Sequence, residues 1–367
     1  MRILTKYILK ETLASFALAI FLFTFILLMD RIFDMINMVI NKGVGFLTIA
    51  RLLSYTLPFT LTLSLPMATL LAILLSLGRL NQDNEITAIK ASGVSTLRLM
   101  SPLLAICVLF SLLGLYFNDQ IVPASNHRFK NLYSEIIFKQ PVLKLEEHTF
   151  IEIKDTRLYF DQINKDDSTF KGVIIYKNEK DQLPLMITAE DGNFYSDPKQ
   201  GLILQLRNGS RNLVDKDNFY KYNRINFETY RMVINLQDNL PNNAINYKSL
   251  KEMNKHELRN EITRLRNSKI NANTILVEYH MRSAIPYACL AFGLIGIPLG
   301  LRPKQTARSL GFGLSLALIF VYYILLISGI TLGERGFVQP ALAVWIPNLL
   351  IGGLGFFFSF KTIKGKL

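Results

Sequence analysis

The chain has 367 residues, of which half are hydrophobic and 19% are charged, and its formal net charge is +13. Six runs of 18 to 27 residues nevertheless contain no Lys, Arg, Asp or Glu. About 20 apolar residues in a helix span the hydrocarbon core of a bilayer. The runs therefore exclude a soluble single-domain protein and predict a polytopic α-helical membrane protein with six transmembrane helices, at 12–29, 52–78, 99–118, 283–301, 309–333 and 336–360.

The distribution of positive charge argues against nucleic acid as a partner. The long segment 119–282 is nearly balanced in charge, and most of the excess Lys and Arg lies in short segments beside the apolar runs. Twelve basic residues fall on one side of the predicted membrane and four in the short loops on the other. Because short cytoplasmic loops are rich in Lys and Arg, both termini and the loops 79–98 and 302–308 are predicted to be cytoplasmic. The first run lacks a small-x-small cleavage site and is interpreted as a retained helix.

The long outside segment changes its period from helical to extended. Its apolar stretches are rich in β-branched and aromatic residues, and turn signals separate them at 191–192, 197–198 and 208–209. The pattern predicts a sandwich-like or barrel-like β domain, with strands at 149–153, 173–176, 202–206 and 224–234. An amphipathic helix is expected next, over 249–269. The predicted organisation is transmembrane helices 1–3 (1–118), a β domain (119–248), a connecting helix (249–282) and transmembrane helices 4–6 (283–367).

The chain lacks the usual signs of catalysis. It has no G-x-x-x-x-G-K-[ST] phosphate-binding loop, so ATP-driven work requires a partner protein. Its four histidines have no metal-ligand spacing, and Cys107 and Cys289 lie in apolar runs, where a thiol behaves as a small hydrophobe. No charged residue lies inside an apolar run, which argues against an ion-coupled transporter. We therefore expect a non-enzymatic protein with no bound metal or cofactor.

The loop between the second and third apolar runs predicts a short surface helix at about 81–93. Asn84 and Glu85 can begin it, and Gly93 can end it in the left-handed conformation. Ser95 is a candidate cap for the next membrane helix. Two interpretations stay open: a simple interfacial connector, or a docking helix for a cytoplasmic ATPase, in which Glu85 pairs with a basic residue of that ATPase.

The same loop resembles the coupling helix of the lipopolysaccharide-export permeases LptF and LptG. The similarity lies in Glu85-Ile-Thr-x-x-x-Ala-Ser-Gly-x-Ser95, and it extends to Tyr7-Ile-Leu-Lys-Glu-Thr-Leu13, which is closer to LptF. The fourth run adds Arg282-x-x-x-Pro286 and Ile-Pro-Leu-Gly at 297–300. The order and spacing of these motifs cover the whole chain.

The resemblance implies the permease subunit of an ABC transporter in the bacterial inner membrane, with its large domain in the periplasm. It implies two copies of a cytoplasmic LptB-like ATPase that binds ATP and Mg²⁺, and a second permease that is LptG-like or another copy of this chain. It also implies that the β domain is a jellyroll that passes lipopolysaccharide to LptC-like and LptA-like jellyroll proteins.

Candidate site residues follow from that implied mechanism. The ATPase-coupling positions are Glu85, Ile86, Ala88, Ile89 and Gly93. Arg31 and Lys42 are candidates for lipid phosphate, since a guanidinium pairs with phosphate in a bidentate manner; Arg31 is equally suited to be an interfacial anchor. A second basic family position falls at Asp34, which puts a two-residue phosphate clamp in doubt. The candidate acyl-cavity and gate residues are Phe21, Phe25, Leu28, Ile32, Phe312, Leu316, Phe320 and Tyr323, which suit contact with bilayer lipid equally well.

The competing hypothesis is a membrane scaffold or signalling subunit that is coupled to an ATPase but transports nothing. It shares the docking helix and needs no lipid-sized apolar cavity. Crosslinkers at Phe25 or Phe320 that capture lipopolysaccharide would separate the two hypotheses.

Overall fold

The computed structural model describes residues 2–40, 44–139, 147–153, 156–164, 167–177, 185–197, 201–214, 222–234, 248–268, 270–302 and 308–364. The chain divides into two compact units. The helical unit contains Met1–Ile36, Ala50–Arg128 and Ser249–Leu367, and the β unit contains Asn37–Ile49 and Phe129–Lys248.

Six helices in the described residues are long and apolar enough to cross a membrane, which confirms the predicted six-span fold class. A short helix joins the second and third of them, and a π-turn at Phe117–Ile121 continues the third into a further helix. The helices are α1 Arg2–Ile40, α2 Phe46–Gln82, α3 Glu85–Ala91, α4 Thr96–Tyr116, α5 Val122–Lys139, α6 Lys255–Asn267, α7 Asn273–Gly300, α8 Arg308–Glu334 and α9 Pro340–Ile363.

The core of the helical unit forms around α7. In its apolar window 78% of α7 is buried, against 22% of α1 and 28% of α8. Small residues permit this burial: a Cβ at Gly355 of α9 would lie 2.5 Å from the backbone nitrogen of Ile295 in α7. Polar links add to the packing, since the Asn348 side chain donates a hydrogen bond to the Ala284 carbonyl oxygen at 2.7 Å. Small residues and interhelical hydrogen bonds are what holds helices together where lipid removes the hydrophobic driving force.

The predicted helix over 249–269 is two elements. A 3-10 turn, Leu250–Glu252, ends before Asn254, whose side chain accepts a hydrogen bond from the Glu257 backbone and begins α6. The predicted apolar face is present, because Leu258 and Ile262 are buried against Ile275 of α7.

The inserted β domain is also confirmed. Six strands form one antiparallel sheet in the order β1 to β6, so each strand pairs with its neighbours in sequence. The strands are β1 Phe150–Ile153, β2 Thr156–Asn164, β3 Thr169–Lys177, β4 Leu185–Asp197, β5 Gly201–Val214 and β6 Tyr222–Ile234.

One line of residues crosses five of these strands and interrupts the pairing. Between each two neighbouring strands from β2 to β6, one pair of opposed residues is missing from the register. The residues at these positions are Asp161, Gly172, Glu190, Asn208 and Glu228. Two residues on the line, Gly172 and Asn208, have positive φ.

Across the same line the buried positions change parity. In β2 the buried residues Phe160 and Ile163 are separated by two residues that are not buried, instead of one. In β4 the same is true of Ala189 and Gly192. Side chains from both sides of the line share one apolar core. The sheet is therefore creased along this line.

Two of the predicted turns were wrong. Asp191-Gly192 lies within β4 and Asn208-Gly209 lies within β5. Turn-forming residue types occur there because the crease needs residues that tolerate positive φ or lack a side chain, which is the same requirement that a turn makes.

Candidate functional site

The loop between α2 and α4 contains α3, the seven-residue helix Glu85–Ala91. Asn84 precedes it in the left-handed conformation with φ 58°. The amide of Gly93 donates to the Lys90 carbonyl oxygen at 3.0 Å, and Gly93 itself has φ 82°. Asn and Gly adopt positive φ at the lowest cost, so these two residues set the two ends of α3.

One side chain anchors α3 to the helical unit. Ile86 is 1% exposed and belongs to an apolar cluster that includes Ile8 of α1, Leu80 of α2 and Leu99 of α4. Ile89 is half-buried beside it. The exposed surface of the helix consists of Thr87, Ala88, Lys90 and Ala91.

This geometry divides the predicted coupling residues. Ala88 and Gly93 are exposed, whereas Ile86 faces the interior and serves as an anchor rather than as a contact surface. Thr87, Lys90 and Ala91 were missed as surface candidates. A helical count from the inward residue Ile86 places Thr87 and Ala91 on another face, since only positions three and four apart share a face. The same count would place Lys90, four residues after Ile86, on the inward face, and the structure shows that it is exposed.

The Glu85 side chain is hydrogen-bonded to another residue of the same chain. The Tyr7 hydroxyl lies 2.8 Å from Glu85 Oε2 and 3.0 Å from Oε1, and donates a hydrogen bond to this carboxylate. Arg79 Nη2 in turn donates to the Tyr7 hydroxyl oxygen at 3.1 Å, and Arg79 Nε forms a 3.0 Å ion pair with Glu11 Oε1. The four side chains connect α1, the end of α2 and the start of α3.

The predicted lipid-facing residues lie mostly on exposed faces of α1 and α8. On α1, Phe21 is 74% exposed and Phe25 53%, while Leu28 and Ile32 are half-buried. Of the α8 candidates, Phe312, Leu316 and Phe320 are exposed.

Tyr323 differs from the other α8 candidates. Its hydroxyl donates to the Leu63 carbonyl oxygen of α2 at 2.9 Å, and its ring packs on the core. Tyr323 therefore ties α8 to α2 and does not belong to the exposed face.

An apolar cavity of about 250 Å³ lies between α1, α2 and α4. Its α1 wall is formed by Phe16 and Ile20, which were not predicted as lipid-contacting residues. The other lining residues are Leu61, Thr62, Leu65, Phe110, Leu113, Gly114 and Phe117. Only their assembly in the fold brings these residues together.

The structure describes one of the two residues predicted to contact lipid phosphate. Arg31 is exposed on α1, between the exposed residues Asp30 and Asp34. Lys42 lies outside the described residues. Within the described parts of the chain, no group of three or more His, Cys, Asp and Glu side chains has the arrangement of a metal site.

A polar cluster around Arg282, between the second and third turns of α7, was not anticipated. Arg282 is 5% exposed, donates from Nη2 to the Leu250 carbonyl oxygen at 2.9 Å, and accepts at its own carbonyl oxygen from Asn118 at 2.8 Å. Asp119 accepts from the Lys255 backbone amide at 2.8 Å. The cluster fastens the 3-10 turn and α6 to the π-turn of the third membrane helix, and its partners are too far apart in sequence for spacing to reveal them.

The chain matches known proteins over nearly its full length. The model of the family described as lipopolysaccharide export system permease LptF/LptG matches residues 6–361. The lipopolysaccharide export system permease protein LptF of Escherichia coli K12 is 20% identical over 353 residues, which cover 95% of this chain and 92% of that protein. An uncharacterized protein of Rickettsia prowazekii is 23% identical over 307 residues, 83% of each chain. The six membrane helices, the inserted sheet and this match together show that the chain is an integral membrane protein of the LptF/LptG family of lipopolysaccharide export permeases.

Proposed function

We propose that this chain is the permease subunit that extracts lipopolysaccharide from the bacterial inner membrane and passes it through its β unit toward the outer membrane. The observation that carries the proposal is the family match over residues 6–361. The fold has the parts that such a task needs: exposed apolar helix faces, a surface helix between two membrane spans and a domain outside the membrane helices.

Energy for the task comes from a separate ATPase that binds ATP and Mg²⁺. The exposed face of α3, formed by Thr87, Ala88, Lys90 and Ala91, is the proposed docking surface for this LptB-like subunit. A short helix with one buried anchor and an outward face suits this role, because it can insert into a groove of the partner without unfolding. The excess of Lys and Arg on the same side of the membrane supports a cytoplasmic position for α3 and both termini.

The lipid path begins at α1 and α8. Phe21 and Phe25 on α1, with Phe312, Leu316 and Phe320 on α8, provide an apolar wall suited to acyl chains. To enclose a lipid, this wall needs a second wall opposite it, and a second LptF/LptG-type permease is the proposed partner that supplies it. Arg31 is the proposed contact for an anionic lipid headgroup, because a guanidinium pairs strongly with phosphate. In the β unit, the periplasmic partners are proposed to be LptC-like and LptA-like β proteins.

The test places a photo-crosslinking amino acid at single positions in the chain as it is expressed with its native partners. Crosslinkers at Phe25 and Phe320 are expected to capture lipopolysaccharide. Phe23 and Tyr322 are matched controls, because these aromatic residues lie two positions away on the same helices and are buried, at 7% and 1% exposure. Equal capture at all four positions, or none at the exposed pair, would contradict the proposed lipid path.

Co-purification supplies a second readout for the partners. The detergent-solubilised chain is expected to carry a small ATPase, a related permease and lipopolysaccharide, identified by mass spectrometry. Recovery of an ATPase without glycolipid would favour the scaffold hypothesis instead. Absence of any ATPase would reduce α3 to a connector.

A further inference from the structure

Tyr7 occupies the junction of three helices. It lies in the second turn of α1, its hydroxyl donates to the Glu85 carboxylate at the start of α3, and it accepts from Arg79 in the last turn of α2. Hydrogen bonds to an ionised acceptor are shorter and stronger than those between neutral groups. The acceptor here is the Glu85 carboxylate, and the Tyr7 and Glu85 oxygens lie 2.8 Å apart, an ordinary hydrogen-bond distance.

The short helix depends on this bond more than a long helix would. A seven-residue helix is too short to be stable alone, and α3 has one fully buried side chain, Ile86. That side chain packs in a cluster with Ile8, the residue after Tyr7. The apolar contact of α3, through Ile86, and its hydrogen bond, through Glu85, are therefore both made with the same turn of α1.

α1 is built to carry a displacement along its length. It is a continuous helix from Arg2 to Ile40, and Phe21 and Phe25 lie about 21 and 27 Å along it from Tyr7 at 1.5 Å per residue. Its apolar window is the least buried of the six membrane helices, at 22%, so few packed neighbours hold it in place. α7, at 78% buried, has no comparable freedom.

We infer that Tyr7 is the positioning residue that links α3 to α1, so that a protein bound to the outer face of α3 moves the first membrane helix. The inference rests on the proposed function, in which an ATPase is that protein. In this role Tyr7 acts through Glu85, whose carboxylate accepts its hydrogen bond. Glu85 in this arrangement serves the chain's own α1, in addition to any contact that it makes with a partner.

The first experiment requires neither partner nor lipid. Hydrogen exchange of the full chain in detergent reports the opening of α3, and Tyr7→Phe is expected to raise exchange across Glu85–Ala91 about fivefold, because one charge-assisted hydrogen bond is lost. Tyr116→Phe on the exposed end of α4 is the matched control and leaves exchange in α3 unchanged. Unchanged exchange in Tyr7→Phe overturns the inference.

The second experiment measures coupling in the complex reconstituted with its ATPase and second permease. In Tyr7→Phe we expect the complex to assemble and the KM for ATP to stay within about twofold, while lipid released per ATP falls about fivefold. Glu85→Gln retains an acceptor oxygen for Tyr7 and is expected to keep part of the coupling. The double variant Tyr7→Phe/Glu85→Gln is expected to be no worse than Tyr7→Phe alone, since both changes act on one bond.

The outcomes separate the two claims. A wild-type complex that releases lipid, with normal lipid release per ATP in Tyr7→Phe, overturns the link and leaves the proposed function intact. A wild-type complex that hydrolyses ATP but releases no lipid overturns the proposed function, and with it the role of Tyr7 in transport. Loss of assembly in Tyr7→Phe, with α3 exchange as in the wild type, also overturns the link.

Discussion

Two membrane helices of this chain, α1 and α7, have opposite environments. The apolar window of α1 has the higher mean hydropathy of the two, yet 22% of it is buried, against 78% for α7. A soluble protein would show the reverse order. In a membrane the exposed surface must be apolar, while a buried helix uses Gly, Ala and polar side chains to approach its neighbours. The more hydrophobic helix is therefore the one that faces outward.

The largest expected effect tests this comparison with one pair of phenylalanines. Phe292 of α7 is fully buried and packs on Tyr322, whereas Phe21 of α1 is 74% exposed. Phe292→Ala is expected to lower the free energy of unfolding by about 3–4 kcal/mol through the cavity that it creates. Phe21→Ala, the matched control, is expected to change it by less than about 0.5 kcal/mol. Unfolding in a denaturing detergent titration measures both, and equal losses would contradict the assignment of inner and outer helices.

A smaller effect on stability is expected in the β unit, where two positions on the crease are compared. Gly172 lies on the crease with φ 60°, and a Cβ there would meet the Asp161 Cβ at 2.8 Å. Gly172→Ala is expected to cost about 1–2 kcal/mol, the penalty for placing an L-residue in the left-handed region. Glu190→Ala changes an exposed side chain on the same line and serves as the control. Limited proteolysis of the full chain during a thermal ramp measures the change, and similar melting of both variants would argue against a strained crease.

The smallest expected effect concerns the polar link between α9 and α7. Asn348→Leu removes the hydrogen bond to the Ala284 carbonyl oxygen and is expected to cost about 0.6 kcal/mol, the average for such bonds between membrane helices. Thr331→Val is the control, because the Thr331 hydroxyl bonds to Ile327 within its own helix. The same detergent titration reports both variants. A loss as large as that of Phe292→Ala would mean that hydrogen bonds, rather than packing, fix α7 in place.

The sequence predicted the six spans because uncharged runs of 18 or more residues have few other stable environments. It also predicted α3, since Asn84 and Glu85 can begin a short helix and Gly93 can end it in the left-handed conformation. The structure adds that Asn84, too, has positive φ. The turns predicted at Asp191-Gly192 and Asn208-Gly209 failed because a crease inside a strand selects the same residue types as a turn between strands. Local pattern reports the conformation of a residue, and not whether the chain reverses there.

The sequence by itself determined the membrane-spanning class, the inserted β domain and the family motifs. These follow from hydropathy, period and short-range residue order. Only the tertiary structure decided that Ile86 faces inward, that Tyr323 ties α8 to α2, and that Tyr7 reaches Glu85. Each of these depends on a contact between residues far apart in the chain. An apolar or aromatic side chain in a membrane helix suits lipid and protein neighbours equally, so its sequence position cannot say which of the two it meets.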